Sequence, residues 1–416
     1  MTMHHTKASL TIGKQDPPLS LYHLLDPEVL ANPYPLYHRL RSEDPVHWDH
    51  YLHAWVVTRY AEVITVFQHF LANRTPTPDQ LTALGLSSLT PLAQVMVKQM
   101  LFLDPPAHGR VRGLASKAFT ARRVEGLRVH IQDITERLLD QVQNEGHMDV
   151  LADLAIPLPA IVTAEMLGVP TSDWRQLTAW SSDFAQVLGN FQHNPERAPQ
   201  VIKSLNEMIA YFRAAIQEHR KYPRDGLISA FLNAEIDGDR FTEEEVVANT
   251  IVTMVGGQET TTNLIGNGIL TLLRHPDELE RLRADLSLIP SAVEELLRYE
   301  SPSQHTARLA PEDVMLGGKL VRKRQAVIAV MGAANRDPER FPEPDRLDLG
   351  RQDNRHVAFA WASHFCFGAA LARIEGQTAF EKVLRRMPKL SLEPGRPIIW
   401  RENLGLRGLK ALHVTF

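Results

Sequence analysis

The chain holds a single cysteine, Cys366, so any thiolate chemistry must rest on it. It stands in Phe359-Ala360-Trp361-Ala362-Ser363-His364-Phe365-Cys366-Phe367-Gly368, followed by Ala369-Ala370-Leu371-Ala372-Arg373. That following run is a strong helix former. A cysteine just before a helix start meets free N–H groups and the positive end of the helix dipole, and both favour the thiolate. A lone cysteine is also, and more often, a small buried hydrophobe. One cysteine excludes an intramolecular disulfide and a multi-cysteine zinc or iron–sulfur site built from one chain. It fits a reducing, cytoplasmic setting.

A second group of residues points to proton chemistry. In Gly256-Gly257-Gln258-Glu259-Thr260-Thr261-Thr262 an acid and a hydroxyl follow a paired glycine. Each glycine costs about 1 kcal/mol against alanine inside a helix. Such a pair lets a bulky group lie against the backbone, permits a local bulge, or serves close packing on another helix. Beside a bound ligand, Glu259 and Thr260 could relay protons to it. Glu295 and Arg298, three apart, share a helix face and can pair.

These residues need elements to position them. Thr242-Glu243-Glu244-Glu245 reads as a capping box, and no proline follows until Pro276. One helix of about 32 residues, roughly 48 Å, therefore carries the Gly256–Thr260 segment across the molecule. Ser291-Ala292-Val293-Glu294 reads as a second capping box, opening a helix that runs to about Glu300 ahead of Ser301-Pro302. Gly317-Gly318 marks a hairpin between Val314–Leu316 and a long strand from Leu320 to Val330. Helices are expected over 33–41 and 60–70, strands over 46–48 and 54–59, and a long loop over 74–91. A last helix starts near Gly368, and short strands close the chain.

Taken in order, these motifs resemble the cytochrome P450 family of heme-thiolate monooxygenases, especially its soluble bacterial members. Gly256 to Thr261 looks like the oxygen-activation motif, and Glu295-Leu296-Leu297-Arg298 like the ExxR motif. Ala334-Asn335-Arg336-Asp337-Pro338 with Phe341 and Pro344 looks like the segment leading into the meander, and Phe359 to Gly368 like the cysteine loop. The resemblance covers nearly the whole chain. It implies a single domain over 1–416, mainly α with small β-sheets, with the long helix over a buried heme b; residues 1–20 are expected to be a flexible extension. Cys366 becomes the proximal iron ligand, and Thr260 and Glu259 deliver protons on the opposite face. His108 and Arg112, Arg308, and His364 match the family's holders of the heme propionates. Glu295 and Arg298 become a structural pair, joined by Arg336 or a neighbour in the meander.

The resemblance also implies an uncharged, partly hydrophobic small-molecule substrate, dioxygen, and electrons from a separate ferredoxin and its reductase. The substrate pocket is expected to draw on residues 74–91, the helix region near Trp180 and Phe184, the long helix before Gly256, Gln304 to Thr306, and the terminal turn near Leu404 and Leu406. The expected outcome is hydroxylation or epoxidation. Coupling, desaturation or nitration on the same fold, and a heme-binding protein without turnover, are the alternatives. Two departures stand out: Ala360 and Ala362 occupy positions where relatives usually carry glycine. Val321-Arg322-Lys323-Arg324 reads as a solvated turn.

Whole-chain properties agree with this reading. The chain has 416 residues, 44% hydrophobic and 23% charged, with a formal net charge of -4. That is an ordinary globular mix, long enough to enclose a cofactor. No basic block suggests nucleic acid. The start carries no apolar signal-peptide core, and no apolar run is long enough to suggest a membrane span.

Overall fold

The structure is a computed structural model that describes residues 18–189 and 195–416. Helices dominate, and five small sheets of two to four strands lie around them. The architecture is mainly α with small β-sheets, as the sequence implies. Among the described residues no helix is long and apolar enough to cross a membrane. Of the expected flexible extension, residues 1–17 lie outside the described residues. Ser20 is held in place: it is fully buried, and its Oγ donates to Asp49 at 2.9 Å.

The long helix forms as its cap predicts, over Glu243–Arg274 with 32 residues. Thr242 accepts from the Glu245 N–H at 3.2 Å, and the Glu245 carboxylate accepts from the Thr242 N–H at 2.9 Å. Val246, Ile251, Met254, Val255, Leu264, Ile265 and Ile269 are buried along its length. It packs against the helices Pro157–Leu167, Trp174–Gly189, Ala198–Lys221, Ile289–Tyr299 and Ala369–Arg386. A helix buried on so many sides carries apolar residues on most of its faces, and the polar ones it buries, such as Asn249 and Asn267, are hydrogen-bonded to neighbouring segments. Gly268 shows how close the packing is: a Cβ there would come within 2.4 Å of the Phe380 ring.

The largest sheet runs Val46–Asp49, Ala54–Val57, Ala326–Ala329, Thr306–Leu309 in spatial order. The central pair is parallel and the outer pairs are antiparallel. Arg308 pairs in register with Val327 and is only 2% exposed. Leu71 adds a bridge beyond this edge, exchanging two backbone hydrogen bonds of 2.9 Å with Leu309. The chain just after Leu71 is thereby tied to the strand that carries Arg308.

Several local expectations are corrected. The Ser291 capping box does not form, because the helix begins at Ile289 with Pro290 in its first turn. The Ser291 hydroxyl instead donates back to the Leu288 carbonyl at 3.0 Å. The stretch 74–91 is not one loop: it contains the helix Pro78–Ala83, which has its own capping box from Thr77 and Gln80, and the start of the helix Thr90–Met96. The long strand from Leu320 is split into Lys319–Val321 and Ala326–Ala329. Arg324 turns the chain between them, with a φ of 68°.

Candidate active site

The loop ahead of Cys366 folds back on itself. The Cys366 N–H donates to the Phe359 carbonyl at 2.9 Å, and Phe365 N–H to Ala362 at 3.0 Å. Gly368 then caps the helix Ala369–Arg386. The sulfur therefore lies at the helix start, as the sequence predicts. Burial pushes the Cys366 thiol pKa up. The N–H groups of Gly368 and Ala369 bond the sulfur and, with Arg112 and Arg373 nearby, pull against that rise. Ala360 and Ala362 both sit at a φ of 57°, the left-handed region that glycine adopts freely. The loop thus keeps the backbone bends that glycine would supply, at a cost to two alanines.

Beside this loop lies a cluster of cationic side chains. His108 and His364 stack with ring centroids 4.1 Å apart. The Nε2 atoms of both rings and the Nε of Arg308 are buried without a hydrogen-bond partner. Burial, and after it Arg308, His108, Arg74 and Arg112, lower the His364 pKa to about 3. Burial, and then Arg112, also lowers His108, with Asp104 opposing. Arg308 is brought down to about 10 by burial, again against Asp104. Arg112 stands nearer the cysteine: its Nη2 donates to the Phe365 carbonyl at 2.8 Å and its guanidinium lies 5.0 Å from the Phe367 ring centre. The structure thus brings His108, Arg308 and His364 together, and places Arg112 on the cysteine side.

In the long helix the two glycines divide the two roles the sequence allowed. A Cβ on Gly257 would meet Thr163 Oγ1 at 3.0 Å, so that glycine serves close helix packing. A Cβ on Gly256 would meet nothing within 4 Å, so that face is open. The Thr260 hydroxyl donates back to the Gly256 carbonyl at 2.9 Å, one turn earlier. Glu259 points elsewhere. Its Oε2 accepts from Arg401 Nη1 at 2.9 Å, and Arg401 Nη2 donates to Asn263 Oδ1 at 2.7 Å. Neighbours in sequence, Glu259 and Thr260 thus engage different partners.

The Glu295–Arg298 pair is fully buried, with both guanidinium–carboxylate contacts at 2.8 Å. Arg298 also donates to the carbonyls of Asn335, Pro344 and Arg346. The third member is Arg351, 3.2 Å from Glu295, with Asn354 at 3.1 Å. Arg336 is not part of it. It is held between the rings of Tyr34 and Tyr299, 3.6 and 3.7 Å from their centres, and pairs with Asp345. Two aromatic faces outbid the carboxylate for this guanidinium.

Three residues escaped the sequence reading. Arg74 belongs to the cationic cluster, its pKa lowered to about 9 by burial and by Arg308 against Asp104. Arg401 holds Glu259 from the far end of the chain. Glu375 is buried against Thr261, with its pKa raised to about 8 by burial and Oε1 unpartnered. Composition and spacing carry no signal for the first two, which are brought in by tertiary contacts.

The expected pocket lining is only partly supported. Trp180 and Phe184 are buried in the main core, with Trp180 Nε1 bonded to Glu207 at 2.8 Å. Gln304 is tied into the backbone, donating from Nε2 to Ser301 at 2.7 Å. Leu404 packs into the cluster of Tyr34, Leu36 and Tyr37. Leu406 is half-buried and bridges to Ser303. The turn that carries these two leucines is tied at both ends to the long helix: by Arg401 to Glu259, and by Asn267, whose Nδ2 donates to the Arg407 carbonyl at 2.9 Å.

The residues present fit a heme. A sulfur held by backbone N–H groups suits an iron ligand. Among the described residues, three buried donors without partners, in a cationic cluster opposed by Asp104, suit a pair of carboxylates. Comparison with known proteins agrees. The family description "Cytochrome P450" matches residues 88–400. A biotin biosynthesis cytochrome P450 of Bacillus subtilis is 39% identical over 394 residues, 94% of this chain and 97% of the relative. The cytochrome P450 monooxygenase PikC of Streptomyces venezuelae is 38% identical over 412 residues, 96% and 95% of the two chains. The crystal structure of P450BioI in complex with an acyl carrier protein ligated to hexadec-9Z-enoic acid superposes with a TM-score of 0.88. It shares 37% identity, over 94% of this chain and 99% of that one.

Proposed function

The chain belongs to the cytochrome P450 family and is a heme-thiolate monooxygenase of small organic substrates, and from that premise we propose how its residues divide the work. The cofactor is heme b, with Cys366 Sγ as its iron ligand. His108, Arg112, Arg308 and His364 hold its carboxylates. Bound there, the heme supplies activation of dioxygen and oxidation of the substrate. The observation that carries this reading is the cluster of unpartnered buried donors on His108, His364 and Arg308, next to a sulfur met by the N–H groups of Gly368 and Ala369.

The chain's own groups set the conditions. The N–H groups of Gly368 and Ala369 stabilise negative charge on the sulfur. On the opposite side, the Thr260 hydroxyl is a proton donor that can turn from the Gly256 carbonyl. Glu259 Oε2, once released from Arg401 Nη1, can take a proton from water and pass it to that hydroxyl. The apolar residues along the long helix exclude bulk water from the site.

The substrate is an uncharged, partly hydrophobic molecule, and the outcome is hydroxylation or epoxidation. The Gly256 face of the long helix, where a Cβ would meet nothing within 4 Å, supports this. Electrons come from a separate ferredoxin and its reductase, and a cytoplasmic location suits a chain whose one cysteine stands free.

The deciding measurement is the carbon monoxide difference spectrum of the reduced protein, beside Cys366→Ser. A strongly red-shifted Soret band that the serine variant lacks is the expected result. A protein purified without Soret absorption would overturn the reading. For substrate, a spin-shift screen begins with ligands named with relatives, testosterone and an acyl carrier protein that carries hexadec-9Z-enoic acid.

A further inference from the structure

We propose that Arg74 also holds the cofactor's carboxylates, and that through it cofactor loading fastens the segment 75–97. This rests on the heme reading above and adds a residue and a consequence to it.

The backbone places Arg74 at the edge of the cationic cluster. Leu71 is bridged to Leu309, next to Arg308. The N–H groups of Ala72 and Asn73 donate to the two carboxylate oxygens of Asp104, at 2.7 and 3.1 Å. Asp104 in turn leads into the helix Ala107–Ala118, which carries His108 and Arg112. Arg74 is the first residue past these anchors. Its guanidinium lies 4.6 Å from the Phe102 ring centre, and one Nη donates to the Ala72 carbonyl at 3.0 Å.

The charges around it do not balance. Arg74 faces Arg308, a second buried guanidinium of like charge. Among the described residues Asp104 is the carboxylate that opposes both guanidiniums, and both of its oxygens already accept backbone N–H groups. A heme brings two carboxylates. A guanidinium with donors to spare on this edge is suited to one of them in the forked geometry that lysine cannot copy.

Past Arg74 the chain has few polar ties to the rest of the fold. Leu81, Leu89 and Ala93 form a small apolar cluster against Ala198 and Ile202, and only Leu92 and Met96 near its end are buried in the main core. The next polar anchors come at Gln99, whose Nε2 donates to Ala248 at 3.2 Å, and at Met100, whose N–H donates to Asn249 at 2.9 Å. Between the anchors at 73 and 99, Arg74 is the charged tether, and its partner is the cofactor. A segment with one charged tether opens locally more readily when that tether is lost.

The test compares holoenzymes. Hemin transfer to excess apomyoglobin should be about tenfold or more faster from Arg74→Gln, the effect of losing one charged hydrogen-bond pair. Arg74→Lys should fall between, and it carries the comparison if the glutamine variant does not fold. Amide exchange should rise across 75–97 in Arg74→Gln and stay unchanged across 243–274. In protein reconstituted with heme dimethyl ester, which has no free carboxylates, wild type and variant should lose the cofactor at equal rates. Unchanged hemin transfer overturns the proposal, and so does faster transfer without faster exchange at 75–97. A difference that survives in the dimethyl ester also overturns it, because Arg74 would then act on the fold. Failure of the heme reading is distinguishable: the wild type itself would lack the thiolate-ligated spectrum.

Discussion

The imidazoles of His108 and His364 lie against each other, ring centroids 4.1 Å apart and tilted by 36°, and neither Nε2 has a partner. One ring comes from a helix and the other from the cysteine loop, so the contact joins the two elements on which the cofactor would rest. Stacking alone leaves two buried donors unpaired, an arrangement native proteins avoid. Replacing His364 by Phe keeps the stack and removes the donor. Heme retention, read as the Soret-to-protein absorbance ratio after gel filtration, should fall, and His108→Phe should have a similar effect. Because the two rings touch, the double variant should cost less than the two single losses combined. Full retention in both single variants would remove these histidines from the site.

Thr260→Ala should separate oxygen consumption from product. The hydroxyl that now donates to Gly256 would be gone, while the helix keeps its backbone ladder. Product per oxygen should drop several-fold with substrate affinity little changed. Unaltered coupling would count against the relay.

Arg401→Gln tests the other half of that relay. It releases Glu259 from its 2.9 Å ion pair. The expected result is a changed solvent deuterium isotope effect on turnover, restored by Arg401→Lys. Glu259→Gln should abolish the difference between the Arg401 variants. Identical isotope effects in all of them would make Arg401 a purely structural residue.

Glu375 makes stability depend on pH with a defined sign. Burial raises its pKa from 4.5 to about 8. Between these values the folded protein keeps a proton that the unfolded chain has released, so its contribution to stability is full below the lower value and is lost as pH rises through the upper one. Glu375→Gln cannot ionise and should escape this loss. The Tm difference, variant minus wild type, should therefore grow from pH 5 to pH 8, flanking values drawn from that window. Parallel Tm curves would mean the carboxyl is not held neutral.

Ala360→Gly and Ala362→Gly should each relieve a left-handed alanine. The strain released, about 1–2 kcal/mol, exceeds the entropy a glycine adds to the unfolded chain, about 0.4–1 kcal/mol. A net gain of about 0.5–1 kcal/mol in denaturant unfolding of the holoenzyme is expected. A loss at both sites would show that the methyl groups contribute packing worth more than the strain.

What the sequence made legible was local. Thr242 and Glu245 announce the long helix, because a capping box needs only two residues three apart. The same pattern misled at Ser291, where Pro290 favours an earlier start. Thr77 and Gln80 formed a box that the proline- and threonine-rich composition around it concealed. Cys366 at a helix start was readable for the same local reason. The partners of Glu295 and Glu259 were not, because Arg351 and Arg401 reach them by the folding of distant segments. Arg74 is the extreme case: its role depends on a bridge between Leu71 and Leu309, 238 positions apart by their numbers.

The turn between Arg401 and Arg407 has a practical consequence. Its two ends are tied to the long helix, and Asn403 closes it from within by accepting the N–H groups of Gly405 at 3.0 Å and Leu406 at 2.9 Å. Side chains there can be exchanged without the backbone following. Leu404 is committed to the cluster around Tyr37, but half-buried Leu406 is not. A combinatorial library meant to retune which molecule is oxidised should therefore vary Leu406 and leave Leu404 alone, since the frame will present each new side chain from the same place.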